Sequence, residues 1–397
     1  LIGDLPEGIS KLKHLKSLDL AGTNIYSLPN DIGELAENLT TLNLRGCQAL
    51  ASLGENIGKL VNLKTLILSG CKVLKELPEG FGNLIQLTAL DLSDCERLER
   101  LSSDIGNLQV STLTLRGCKL LKVVPESFGK LDKLTKLNFY DCAALESLPE
   151  SIGNLTKVTE IDLSQCTALT SLPASLGQLT GLKKLTMPRT GLTTLPAAIS
   201  SLSALEELDV TGKEGTPGIR GVAADVFSGL TKLKKLNASN NSFSGDLSWL
   251  KDLSALQTLR LDGNQLSGQL DLSQFSPNLT DVYLSNNKLE GNLNGISTLT
   301  KVRNLYLEHN LLSGELPAEL GNCSTLSYFY LSNNNITGTI PVEVAKMNLG
   351  YSGLKLNGNR MSGEIPAEVL SSAVWKKLYP ETNIYPQQEG YGFSNVK

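Results

Sequence analysis

A short phrase, leucine–any residue–leucine, recurs along nearly the whole of the 397-residue chain and constrains its fold more than any other feature. Leu18-Asp19-Leu20 is followed three residues on by Thr23, and Leu42-Asn43-Leu44 likewise by Cys47. The same register ends at Cys71, Cys95, Cys118, Cys142, Cys166, Thr190 and Lys213. After a longer step it resumes at Asn241, Asn264, Asn287, Asn310, Asn334 and Asn359. That makes fifteen units, nearly all spaced by 23 or 24 residues, and such a period dictates a repeat architecture. In L-x-L the two apolar side chains point one way and the middle one the other, as in a short strand. One unit buries almost nothing alone, whereas stacked units share a backbone ladder and a leucine-filled interior. The ladder residue lies where the chain leaves the strand. Asn there carries donors and an acceptor for the loop groups of adjacent units. Cys is smaller and more apolar, and keeps a weak S–H donor.

The full pattern, L-x-x-L-x-L-x-x-N/C-x-L, is identified as that of a leucine-rich repeat protein over roughly residues 5–370. The resemblance implies an α/β fold: a curved solenoid of about fifteen repeats, with a parallel sheet on the concave face and short helical turns and loops on the convex face. Residues 1–212 carry phrases such as Leu77-Pro78-Glu79-Gly80-Phe81-Gly82-Asn83-Leu84, in which Pro closes a loop ahead of a helical turn. They resemble the cysteine-bearing repeats of plant intracellular immune receptors and similar bacterial repeats. Residues 233–368 change to Asn310-Leu311-Leu312-Ser313-Gly314-Glu315-Leu316-Pro317 and Met361-Ser362-Gly363-Glu364-Ile365-Pro366. This N-x-L-S-G-x-I/L-P accent is similar to plant receptor kinases and polygalacturonase-inhibiting proteins, and it implies a second small sheet beside the first.

Residues 213–232 separate the accents. Lys213 stands where Asn or Cys belongs, so its side chain is expected to turn outward, and Gly215-Thr216-Pro217-Gly218 breaks both strand and helix patterns. The segment reads as a splice between repeat types, with a recognition loop as the alternative. With no flexible linker, one continuous solenoid is expected. The chain opens in mid-repeat at Leu1-Ile2-Gly3-Asp4-Leu5-Pro6, so a capping segment upstream is expected. Residues 369–397 read as a cap and tail: an amphipathic helix through Val369, Val374, Trp375 and Leu378, stopped by Pro380.

Six of the seven cysteines share one ladder position in consecutive repeats, side by side rather than aimed at one another, so free, structural thiols are expected. Cys323 has no ladder neighbour and is also expected to be free. Sequons at Asn38, Asn154, Asn237, Asn240, Asn278, Asn322 and Asn335 and the S-G-x-I-P accent favour a secreted or surface-attached protein. The missing flanking cysteine pairs leave the cytoplasm as the alternative.

The middle residue of L-x-L faces away from the core. In the first half this column is small and partly acidic. In the second it runs Arg260, Tyr283, Tyr306, Tyr330, Lys355, with Tyr328 alongside. In a chain with 5% aromatic residues, that concentration of interface-type side chains marks the candidate binding site.

Other classes of function find little material. A net charge of -4 without a basic stripe counts against nucleic acid, and no run of 18 apolar residues suits membrane insertion. His14 and His309 are the only histidines. His309 lies near the Ser285 and Ser332 columns without an orienting carboxylate, so no catalytic residue, metal site or cofactor is assigned. The reading is a monomeric, non-enzymatic scaffold that binds a protein, peptide or glycan on its concave face. The alternatives are an inhibitor or regulator of a secreted hydrolase and the sensor segment of an intracellular immune receptor.

Overall fold

Each L-x-L phrase forms a three-residue strand, or two residues at the last one, because its leucines need a neighbour on one side only. The computed structural model describes residues 3, 5 and 8–395. Within them, fifteen parallel strands carry the phrase. The chain forms two compact units, Leu1–Leu205 and Glu206–Lys397. The expected cap ahead of Leu1 lies outside the described residues, as do Leu1, Ile2, Asp4 and Pro6 of the opening phrase.

In the first unit eight strands run from Ser17–Asp19 to Lys184–Thr186, in a register that sets leucine on leucine: Leu18 on Leu42, Leu42 on Leu66, Leu66 on Leu90. The return segments are 3-10 turns such as Glu126–Lys130, Glu150–Asn154 and Ala174–Gln178, each entered from an extended proline. They pack so closely that the glycines of the I-G and F-G pairs from Gly58 to Gly153 have no room for a side chain. A Cβ on Gly106 would lie 1.9 Å from the Ser127 carbonyl oxygen, and one on Gly129 would lie 2.3 Å from that of Ser151.

The cysteine ladder belongs to this unit. Cys47, Cys71, Cys95, Cys118, Cys142 and Cys166 are fully buried, and each donates its thiol to a carbonyl of the preceding repeat. Cys47 reaches Leu20 O at 3.1 Å, Cys118 reaches Leu92 O at 3.3 Å and Cys166 reaches Phe139 O at 3.2 Å. All seven cysteines are free. Burial, then the neighbouring Cys47, pushes the Cys71 thiol up to about 12. A thiol reagent at pH 8 is therefore expected to leave the native ladder unmodified and to titrate seven thiols after denaturation without reductant, since the thiolate is the reactive form. Two or more thiols missing from the denatured count would contradict a reduced ladder.

The second unit contributes seven strands, from Glu207–Asp209 to Leu354–Lys355. Here Asn replaces Cys and does more. Asn287 Nδ2 donates to Leu261 O of the preceding repeat and to Leu284 O of its own, both at 3.0 Å, while Oδ1 accepts from Leu266 N at 3.0 Å. Asn264, Asn310, Asn334 and Asn359 repeat the arrangement. The N–H so accepted opens the S-G segment, which forms the expected second sheet as two-stranded parallel pairs: Ser267–Leu270 with Lys288–Gly291, and Ser313–Glu315 with Asn335–Thr337. A thiol offers one weak donor and no good acceptor for an N–H, so the Asn repeats carry this sheet.

Three expectations need correction. Lys213 is exposed, but only residues 213–217 stay outside the fold. Ile219 is buried, Arg220–Val222 pairs with Ser242–Ser244, and the helix Ala223–Phe227 drives Phe227 against Phe243 and Trp249, with ring centroids 5.1 and 5.5 Å apart. Secondly, the closing helix is three short ones, Ala367–Ser371, Ala373–Lys377 and Pro380–Asn383, because Ser372 caps the second on Trp375 N and Pro380 begins the third rather than ending a helix. Thirdly, the tail is a degenerate repeat. Gln387 takes the ladder position, donating to Leu356 O and Ile384 O and accepting from Met361 N, while Gly392–Phe393 pairs with Ser362–Gly363.

Candidate functional site

Alternation along each strand of the second unit turns every other residue out of the core, and the parallel register aligns these residues into columns. Tyr283 pairs with Tyr306, and Tyr306 with Tyr330, in adjacent strands. Their rings follow the backbone spacing. The Tyr283 and Tyr306 centroids lie 4.7 Å apart at 18°, stacked, and those of Tyr306 and Tyr330 lie 4.7 Å apart at 81°. Tyr328, on the strand of Tyr330, meets it edge-on at 6.3 Å. At one end the Arg260 guanidinium sits 4.4 Å from the Tyr283 ring, and at the other the Lys355 ammonium sits 4.0 Å from the Tyr330 ring. All six residues singled out from the sequence thus stand in one contiguous, half-buried to exposed patch.

Apart from Tyr328, the flanking columns were not singled out from the sequence, and they give the patch its polarity. On one side lie Asp281 and Asn304, hydrogen-bonded to each other. On the other, Glu308 accepts from Ser285 Oγ at 2.8 Å and Asp262 from Ser239 Oγ at 2.7 Å. The tyrosine hydroxyls of 283, 306, 328 and 330 form no hydrogen bond with any described residue, and neither Arg260 nor Lys355 is paired there with a carboxylate.

Burial, followed by the neighbouring rings of Tyr283 and Tyr330 and then Glu308, pushes the Tyr306 phenol up to about 12 from its ordinary 10. Burial raises Tyr330 as well, with Glu308 next. Because the folded phenol loses its proton later than the unfolded one, whatever stability Tyr306 confers is intact below pH 10 and is lost as pH rises toward 12. Ultraviolet difference titration of wild type against Tyr306→Phe is expected to give a phenolate midpoint near 12; a midpoint near 10 would show the ring fully solvated.

The matching column of the first unit is differently employed. Asp19, Asn43, Asp91, Asn138 and Asp162 each accept the backbone N–H two residues ahead, at 2.9 to 3.1 Å. Those side chains close turns rather than wait for a ligand. His309 occupies the left-handed residue before the ladder Asn, with φ 54°, a position held by Asn286 and Asn333 in adjoining repeats. Its Nε2 lies 3.2 Å from Asn333 Nδ2, and Ser332 donates to Asn357, so His309 and these serines serve turns. Among the described residues no three His, Cys, Asp or Glu are grouped to hold a metal, and no helix is long and apolar enough to cross a membrane.

The family model described as "Leucine-rich repeat region" matches residues 82–187 and 141–290, and that described as "Leucine Rich Repeat" matches 62–84, 301–323 and 325–347. No curated protein matches the sequence. Among solved structures, a leucine-rich repeat protein of Leptospira interrogans is 28% identical, covering 96% of this chain and 92% of its own, with a TM-score of 0.67. A TDR receptor is 26% identical over 89% of this chain and 66% of its own, with a TM-score of 0.62. The Arabidopsis receptor kinase HAESA, solved with the peptide hormone IDA and the co-receptor SERK1, shares the fold at 23% identity and a TM-score of 0.58, over 93% of this chain and 66% of its own. With a repeating register, leucine-on-leucine strands and family matches over more than half its length, the chain belongs to the leucine-rich repeat family.

Proposed function

We propose that this protein is a non-enzymatic recognition scaffold that binds a protein or peptide partner on the strand face of its second unit, through Arg260, Tyr283, Tyr306, Tyr328, Tyr330 and Lys355. The observation that carries the reading is the contiguous tyrosine column, whose hydroxyls have no hydrogen-bond partner among the described residues. Tyrosine offers large, stiff contact area at low entropic cost, with a hydroxyl left for a polar partner. The TDR neighbour, a receptor with the same fold, supports a recognition role, and a secreted or cell-surface setting is proposed with it.

Selection of a displayed random-peptide library on the immobilised protein tests the site. Enriched clones should lose binding to the Tyr283→Ala/Tyr306→Ala/Tyr330→Ala variant and keep it on Asn138→Ala, whose side chain only closes a turn. Clones that bind the triple variant as well as wild type would remove the site from this face.

A further inference from the structure

The tyrosine column has a period, and a ligand lying along it must match that period. Its rungs are 4.7 Å apart, so two rungs from Tyr283 to Tyr330 make roughly 9.4 Å. An extended β-strand repeats its side chains every 6.6–6.8 Å or so and falls out of step with one rung or two. An α-helix, with a pitch of about 5.4 Å, drifts off by the second rung. A polyproline II chain rises about 3.1 Å per residue and repeats every third residue, roughly 9.3 Å. Two strand spacings and one polyproline II turn therefore nearly coincide over the tyrosine pair.

The chemistry points to the same ligand. A polyproline II backbone has no internal hydrogen bonds, so its carbonyls are free to accept, and the column with Tyr328 beside it offers four tyrosine hydroxyls without a described partner. Pyrrolidine rings are stiff and apolar, and they dock on aromatic-lined surfaces with little entropy left to lose. Charge sets the rest of the sequence. The middle of the patch is acidic, with Asp281 on one side of the tyrosines and Glu308 on the other, whereas its ends are the cations Arg260 and Lys355. The five rungs from Arg260 to Lys355 span about 19 Å, which a heptapeptide in polyproline II covers from first to last residue.

We infer that the strand face of the second unit binds a proline-rich segment in the polyproline II conformation. Prolines three residues apart lie on Tyr283 and Tyr330, a basic residue between them faces Glu308, and acidic residues outside them meet Arg260 and Lys355. This rests on the peptide-binding reading above and goes further by naming the ligand's conformation and charge order.

The test is fluorescence anisotropy of the intact protein with a labelled peptide, Glu-Ala-Pro-Arg-Ala-Pro-Glu. Saturable binding is expected at micromolar to submillimolar concentration. Replacing both prolines by alanine should weaken it at least tenfold, as should Tyr306→Ala in the protein. Tyr306→Phe, which keeps the ring and hence the fold, should weaken it about threefold by removing one donor. Glu308→Gln should weaken this peptide more than a version with alanine in place of arginine. Three outcomes would overturn the inference: no binding at 1 mM peptide, equal binding of the proline-free peptide, or binding of cellohexaose in preference to the peptide. Library clones that need the tyrosines but carry no paired prolines would also overturn it, while leaving the peptide-binding site standing.

Discussion

Replacing Asn287 with alanine is expected to destabilise the second unit by about 2–4 kcal/mol: the buried Leu266 N–H loses its acceptor, costing roughly 1–3 kcal/mol, and the Leu261 and Leu284 carbonyls each lose one of two donors while keeping those of Asn264 and Asn310. Both tryptophans, Trp249 and Trp375, lie in this unit, so urea unfolding followed by tryptophan fluorescence reads it directly. Asn287→Cys separates the bonds. Its thiol restores the donor to Leu261 O, as Cys118 does for Leu92 O, but offers Leu266 N no good acceptor. A loss of more than half the alanine value is expected, because the Leu266 N–H stays without an acceptor. A cysteine variant as stable as wild type would break the link between the Asn repeats and the second sheet.

The first unit should be most sensitive where it has no side chain at all. Gly106→Ala places a methyl group 1.9 Å from the Ser127 carbonyl oxygen, in backbone that cannot retreat without moving the next 3-10 turn. Overpacking of this kind costs typically 1–3 kcal/mol and sometimes more, so a loss of about 3 kcal/mol is expected in thermal unfolding followed by far-ultraviolet circular dichroism. Gly46→Ala is the contrast. There the added Cβ meets nothing within 4 Å, and only the left-handed φ of 68° opposes it, worth about 1 kcal/mol. Equal losses for the two would show that conformation, not crowding, selects glycine in the I-G pairs.

Period and alternation made the strands, their register and the tyrosine column legible in the sequence, because each depends only on residue spacing. The second small sheet was legible only through resemblance, since the acceptor bond from Asn287 Oδ1 to Leu266 N has no signature of its own. Three things were hidden. The turn-closing use of Asp91 and Asp162 hides behind a column position that in Tyr306 faces solvent. The repeat built by Gln387 hides because one side chain mimics another at an irregular spacing. The pairing of 220–222 with 242–244 hides because Gly215-Thr216-Pro217-Gly218 looks disruptive while the five residues after it do not.

Every ladder asparagine reaches backward. Asn310 donates to Leu284 O and accepts from Leu289 N, both in the repeat before it, and Asn334 and Asn359 do the same one step later. A repeat therefore cannot complete its own buried hydrogen bonds; its successor completes them. On a ribosome, where the chain emerges from its amino end, the second unit would fold one repeat behind synthesis. Its last asparagine repeat would wait for Gln387, and the Ile365 N–H for Asn395, so residues 387–395 close a unit more than a hundred residues long that has emerged before them.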